Sequence, residues 1–322
     1  MFDRFFSILY KKKRTIRNKR KRRIGGNKSR KFKTMNCHPA VDGKTAVKDS
    51  CFTQVVLHKI RDAYNKSHSD NPITIINPHL LWLELKSRFS SCEKEDCWLE
   101  KLNDNDLKEK IDKISFAPDH PDEWKKNPDE WLSNEDILEV LAQYETKHKE
   151  FKFIGPTPID FDSRPSNRNG KCVWKDLCEF SLDKLDAKIK KVGIIFNLDK
   201  HNEPGSHWVS LFVDLENHFM FYLDSAGDDI PDEVQDLVDR IREQWTTLHP
   251  SKKMQFHKNH PFEHQKGNTE CGMYALFFII TLLTQKYEGK HHSIDELIKI
   301  FKSKRIPDDY VFDYRKIYFN SN

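Results

Sequence analysis

Two residues of this chain stand where they could do chemistry. Cys271 lies at the join of "HQKGNTECGMYALFFIITLL" (264–283), where a polar, glycine-containing run meets an apolar wall, and His207 opens the alternating stretch "HWVSLFVD". A nucleophilic cysteine needs a lowered pKa, a base, a group to orient that base, and donors for an oxyanion. Cys271 would begin the apolar helix, where free backbone N–H groups and the macrodipole favour a thiolate, and Gly272 beside it permits close backbone approach. On its own, a cysteine against an apolar helix reads sooner as a buried structural thiol. His207 follows the loop "LDKHNEPGS" and would project from a strand end, although with 15 histidines in the chain no single one is informative alone. Asp224 ends the next apolar run, before "SAGD". Antiparallel strands joined by a short turn would bring it within reach of His207, where it could hold the imidazole; it could equally be a turn-initiating aspartate. Gln265, six residues before Cys271, could place its amide over the nucleophile and complete an oxyanion hole with the Cys271 N–H.

These residues need elements to position them. Period-two patterning over 192–198, over "HWVSLFVD" and over "HFMFYLD" predicts a meander of strands, followed by a short strand at "MQFH". Helical spacing predicts helices from Val234 to Leu248, over 51–64 through Val55, Val56, Ile60 and Tyr64, and over 77–89, with Pro78 at its entry. Ser133 to Asp136 and Ser293 to Glu296 read as capping boxes, the first opening a helix with Ile137, Leu138, Val140, Leu141 and Tyr144 on one face. Residues 155–161, "GPTPIDF", read as a loop. Strands in the middle with helices around them give an α+β fold. The expected organisation is a basic, flexible arm at 1–36, a helical arm domain at 47–120 and a core at 125–322, with order beginning near Val47.

Length and composition agree with an enzyme-sized core plus an extension. The first 36 residues hold 15 of the 55 lysines and arginines against one acid, Asp3, so the net charge of +5 conceals an acidic body. Such an arm suits DNA, RNA or another anionic partner, or a nuclear import receptor; a solvated tail has the same composition. Gly25-Gly26-Asn27 lies within it. Seven scattered cysteines suggest free thiols and a reducing compartment, and Cys92/Cys97 and Cys172/Cys178 lack the paired spacing of a zinc site, so no metal is expected. Nothing resembles a phosphate-cradling glycine loop, and no cofactor is expected. The apolar run at 275–283 is far shorter than the roughly 20 residues that span a bilayer, so a buried helix is expected rather than a membrane span.

Taken together, "GSHW", "LDSAGD" and Gln265 six residues before "CG" resemble the clan CE cysteine proteases, the group of the ubiquitin-like-protein (SUMO) proteases and the adenovirus endoprotease. The order His207, Asp224, Gln265, Cys271 is similar to theirs and unlike the Cys-His-Asn order of papain-like enzymes. "WLSNEDI" (131–137) is similar to the segment that opens the SUMO-protease domain, and the resemblance implies that Trp131 and Trp208 line a tunnel admitting only Gly-Gly. "FKFIGPTPIDF" and "NTECGMY" look closest to the polyprotein-processing proteases of nucleocytoplasmic large DNA viruses, the asfarvirus type. The resemblance spans about residues 125–305, loosely 47–110, and not the basic arm. It implies a SUMO-protease/adenain-like core with a central mixed sheet flanked by helices and the nucleophile at the start of a buried helix. The implied activity is cleavage after Gly-Gly in a protein substrate by a monomer, during particle maturation in host cytoplasm and virion. Two competitors stand beside it: a deconjugase for ubiquitin-like proteins, and a non-catalytic nucleic-acid-binding protein whose basic arm is the function.

Overall fold

The alternating stretch between 191 and 223 folds into three antiparallel strands, β2 (Lys191–Asn197), β3 (Trp208–Asp214) and β4 (Phe219–Leu223), in a computed structural model that describes residues 32–321. β1 (Phe151–Pro158) adds in parallel to β2, and β5 (Gln255–Lys258) in parallel to β4, giving a mixed sheet in the order β1-β2-β3-β4-β5. The alternation does not separate a wet face from a dry one. Trp208 and Phe212 enter one apolar cluster, Val209, Leu211 and Val213 another, and every residue of β3 is buried. Helices therefore cover both faces. α7 (Asp232–Leu248) closes the second cluster with Val234, Leu237, Val238 and Ile241, and α8 (Cys271–Thr284) lies on the first.

α8 is buried on all sides from Cys271 to Leu283. It approaches the sheet closely at Gly193 of β2, where an added Cβ would lie 2.9 Å from Ile279. Around it pack α5 (Asn134–Lys147) and α9 (Ile294–Ser303), each opened by a capping box, from Ser133/Asp136 and Ser293/Glu296. The C-terminal α10 (Asp308–Asp313) and α11 (Arg315–Tyr318) follow; α6 (Lys175–Cys178) and a small ribbon, β6 (Lys286–Tyr287) with β7 (Lys290–His291), complete this part. Upstream, α1 (Gln54–Ser67), α2 (Pro78–Arg88), α3 (Asp96–Glu100) and α4 (Asn105–Ser115) surround a third apolar cluster built on Phe52, Leu57, Leu81, Leu85 and Trp98.

Four expectations need correction. The loop assigned to 155–161 is, through Pro158, part of β1. Pro156 is tolerated because β1 is an edge strand whose register shifts between Ile154 and Thr157, so no ladder hydrogen bond from its nitrogen is needed. Val55 and Leu138, placed on apolar helix faces, are 63% and 47% exposed; Leu57 and Ala63 take the buried positions beside Val56, Ile60 and Tyr64. Order starts before Val47: Phe32 packs edge-on against Trp82, Lys33 donates to the Glu93 carbonyl, and Asn36 exchanges hydrogen bonds with Asn320. Six cysteines are not free thiols. Cys37–Cys51, Cys92–Cys97 and Cys172–Cys178 are disulfides with Cα separations of 5.0, 5.5 and 6.3 Å, because their loops fold back on themselves; this removes the ground for inferring a reducing compartment. The charged stretch of residues 1–31, with Gly25-Gly26 and the nucleic-acid reading of the arm, lies outside the described residues.

Candidate active site

Cys271 is the first residue of α8, and among the described residues the one cysteine without a disulfide partner. Like any helix start, this one leaves its first backbone N–H groups without intrahelical acceptors and presents the positive end of the macrodipole. Gly272 is tightly packed: a Cβ would sit 3.1 Å from Leu132 Cβ and 3.2 Å from Trp208 Cδ1.

His207 immediately precedes β3, its carbonyl accepting from Leu198 N–H, and Asp224 immediately follows β4. The strand pairing of Ser210 with Leu223 sets these two ends side by side. His207 Nε2 donates to Asp224 Oδ1 at 2.8 Å, which leaves Nδ1 as the ring nitrogen for the Cys271 thiol. Burial disfavours a charged imidazole, but hydrogen bonds to Asp224 and Cys271, reinforced by their charges, outweigh it and raise the His207 pKa to about 10. The arrangement thus favours a protonated His207 between Asp224 and Cys271. His201 with Asp160 at 2.7 Å and His148 with Glu150 at 3.1 Å are likewise hydrogen-bonded to carboxylates. His207 adds a thiol, Cys271, to its pair.

Asp224 is anchored on both sides of its peptide: its N–H donates to Asn259 Oδ1 at 3.0 Å and its carbonyl accepts from Asn259 Nδ2 at 2.6 Å. Its Oδ1 also accepts from Ala226 N–H at 2.8 Å. The adjoining residue fixes the glutamine. Ser225 carbonyl accepts from the N–H groups of His264 and Gln265, and Ser225 Oγ donates to Gln265 Oε1 at 2.7 Å. With its oxygen occupied, Gln265 presents its NH2 group, of which one hydrogen goes to Gly267 carbonyl at 3.0 Å and the other remains for a ligand. His264 beside it is fully buried and serves structure: Nδ1 accepts from Ile306 N–H, Nε2 donates to Phe301 carbonyl, and burial holds its pKa below the usual value.

The structure brings His207, Asp224 and Cys271 into one line and fastens Gln265 to the residue next to Asp224. The two tryptophans separate. Trp208 is buried, donating from Nε1 to Leu132 carbonyl at 3.3 Å, whereas Trp131 is 40% exposed on the segment that Trp208 holds. Sequence reasoning missed Asn259, Ser225, Glu270 and Arg315. Ser225 stood inside the quoted "LDSAGD" and Glu270 inside "NTECG", so both were visible as neighbours; nothing local marked Asn259 or Arg315 as their partners. No group of three or more His, Cys, Asp or Glu among the described residues is arranged to hold a metal ion. No described helix is long and apolar enough to cross a membrane.

Residues 163–314 match the Ulp1 protease family, C-terminal catalytic domain. The chain is 34% identical over 151 residues to a protein of Acanthamoeba polyphaga mimivirus that is named as a candidate thiol protease, covering 46% of each chain. It is 28% identical over 197 residues to a cysteine protease of African swine fever virus, covering 59% of this chain and 68% of that one. The match thus spans about half the length of the mimivirus relative. The crystal structure of an African swine fever virus protease superposes with a TM-score of 0.58 at 19% identity, over 89% of this chain and 96% of that one, a likeness of fold that includes the N-terminal helices.

Proposed function

From the match of residues 163–314 to the Ulp1 protease family's catalytic domain, we propose that the chain is a cysteine endopeptidase cleaving after Gly-Gly, with a structural polyprotein as its substrate. The observation that carries this reading is the chain of contacts Cys271–His207–Asp224, with Gln265 fastened through its side-chain oxygen to Ser225, the residue next to Asp224. His207 takes the Cys271 proton on Nδ1, and the thiolate attacks the carbonyl carbon after the second glycine. The resulting oxyanion accepts hydrogen bonds from Gln265 Nε2 and the Cys271 N–H. His207 then gives its proton to the departing amine, and water activated by the same imidazole hydrolyses the thioester. Asp224 holds the ring and offsets its charge throughout.

Selection of glycine follows from crowding rather than attraction. Trp131 stands exposed next to Leu132, which packs with Trp208 against Gly272, and in this reading that aromatic edge turns away side chains at the two positions before the cut. A viral relative named "SUMO-1 cysteine protease" supports a second substrate, a ubiquitin-like tail that also ends in Gly-Gly. A substrate panel separates these. The full chain and its Cys271→Ala variant are compared on Gly-Gly-Xaa peptides, SUMO and ubiquitin fusions. Cleavage of the peptides that the variant loses, with its fold unchanged by circular dichroism, is expected. Equal cleavage by both proteins rules out Cys271 as the nucleophile, and turnover confined to the fusions shifts the substrate to ubiquitin-like proteins.

A further inference from the structure

Arg315, the first residue of α11, has its side chain only 3% exposed and paired with Glu270, 5% exposed, immediately before Cys271. The pairing is bidentate: Nε donates to Glu270 Oε2 at 3.2 Å and Nη2 to Oε1 at 3.0 Å. The remaining arm of the guanidinium turns away from the nucleophile's helix. Nη1 donates to the carbonyls of Pro128 at 3.1 Å and Glu130 at 2.8 Å. Trp124 adds a second donor to the Glu130 carbonyl at 3.1 Å, and its ring lies beneath the guanidinium at 4.3 Å. Trp208 then holds the Leu132 carbonyl. Alternate carbonyls at 128, 130 and 132 are therefore all fixed by buried donors, and the residue carried between the last two is the exposed Trp131.

A buried ion pair is a poor device for stability, since apolar residues of similar volume would do as well; its strength is to impose one geometry. Resting on the protease reading above, we infer that Arg315 is a positioning residue that locks the Trp131 wall to the helix bearing Cys271, and so sets the width of the passage that admits Gly-Gly. The planar fork is essential. Lysine supplies the charge but a single ammonium cannot reach the Glu270 carboxylate and both loop carbonyls together.

The test measures kcat/KM for peptides ending in Gly-Gly and Gly-Ala before the cut, in the full chain and in Arg315→Lys, Glu270→Gln and Trp131→Ala. Arg315→Lys should lower the Gly-Gly over Gly-Ala preference about tenfold or more. Glu270→Gln should move it the same way by less. Combining Arg315→Lys with Trp131→Ala should lose no more preference than Trp131→Ala alone, because both changes remove one wall. Alkylation of Cys271 by iodoacetamide, which needs no wall, should keep its rate and pH profile in Arg315→Lys. An unchanged preference in both Arg315→Lys and Glu270→Gln overturns the inference while leaving the protease reading intact. So does additive loss in the double variant. A wild-type chain that cleaves no Gly-Gly peptide overturns both. If Arg315→Lys does not fold, Glu270→Gln alone decides, through the same ratio.

Discussion

Asp224 and Glu95 are both buried carboxylates, 1% and 2% exposed, yet they serve opposite ends. Glu95, among the N-terminal helices, meets only neutral donors: Ser50 Oγ and Trp82 Nε1 at 2.6 Å on Oε1, and Cys51 N–H at 2.8 Å on Oε2. Burial is the larger influence and holds its pKa above the usual carboxylate range despite those bonds. It pins the Cys51 turn to α2 and does no more. Asp224 instead faces a titratable partner through Oδ1, while Oδ2, buried, has no hydrogen-bond partner among the described residues. A carboxylate whose donors are all neutral fixes a fold; one that shares its donor with a proton-transfer group tunes chemistry.

That contrast can be broken most directly at Asp224. Asp224→Asn should lower kcat/KM on a Gly-Gly peptide by about 10³-fold, within the range seen when a positioned acid–base group is impaired. The pH dependence sharpens it. Because His207 is raised to about 10, its pairing contributes stability that is fully present below the ordinary histidine value of 6.5 and is lost as pH rises through about 10. The alkaline limb of kcat/KM on a Gly-Gly peptide, where the imidazolium is needed to protonate the departing amine, should therefore lie near pH 10 in the wild type and move downward in Asp224→Asn. An unmoved limb would show that Asp224 does not sustain the imidazolium.

Beside Glu95 stands the Cys37–Cys51 disulfide, which closes a 14-residue separation. Replacing both cysteines by serine should cost about 3 kcal/mol from loop closure alone, read in chemical denaturation, while turnover at temperatures well below melting is unchanged. The smallest effect is expected of Glu95→Gln. Its amide matches the shape but turns an NH2 toward one of the three donors, costing about 1–2 kcal/mol and leaving kcat/KM as it was. A fall in turnover without a fall in stability, for either variant, would mean that the N-terminal helices take part in catalysis.

Much of the scaffold was legible because its code is local. The capping boxes at Ser133 and Ser293 are written within four residues, the helix Val234 to Leu248 within its own period, and the strands β2 to β4 within theirs. His207, Asp224 and Cys271 were legible too, since each lies at an element end that local patterning marks, whereas Gln265, in the middle of a loop, was legible only through the family resemblance of the four together. Tertiary structure alone decided the rest. Period two could not say that both faces of β3 are covered, because burial depends on helices that come from elsewhere in the chain. Edge position, not composition, made a strand of "FKFIGPTP". Three disulfides depended on how loops return, and Arg315 meets Glu270 across 45 residues and the Glu130 carbonyl across 185. The sequence by itself determined which side chains could react and in what elements they sit. Only the fold decided which carboxylate meets a titratable histidine, and which arginine holds the wall beside the nucleophile, because such pairings are set by packing between elements rather than by spacing within them.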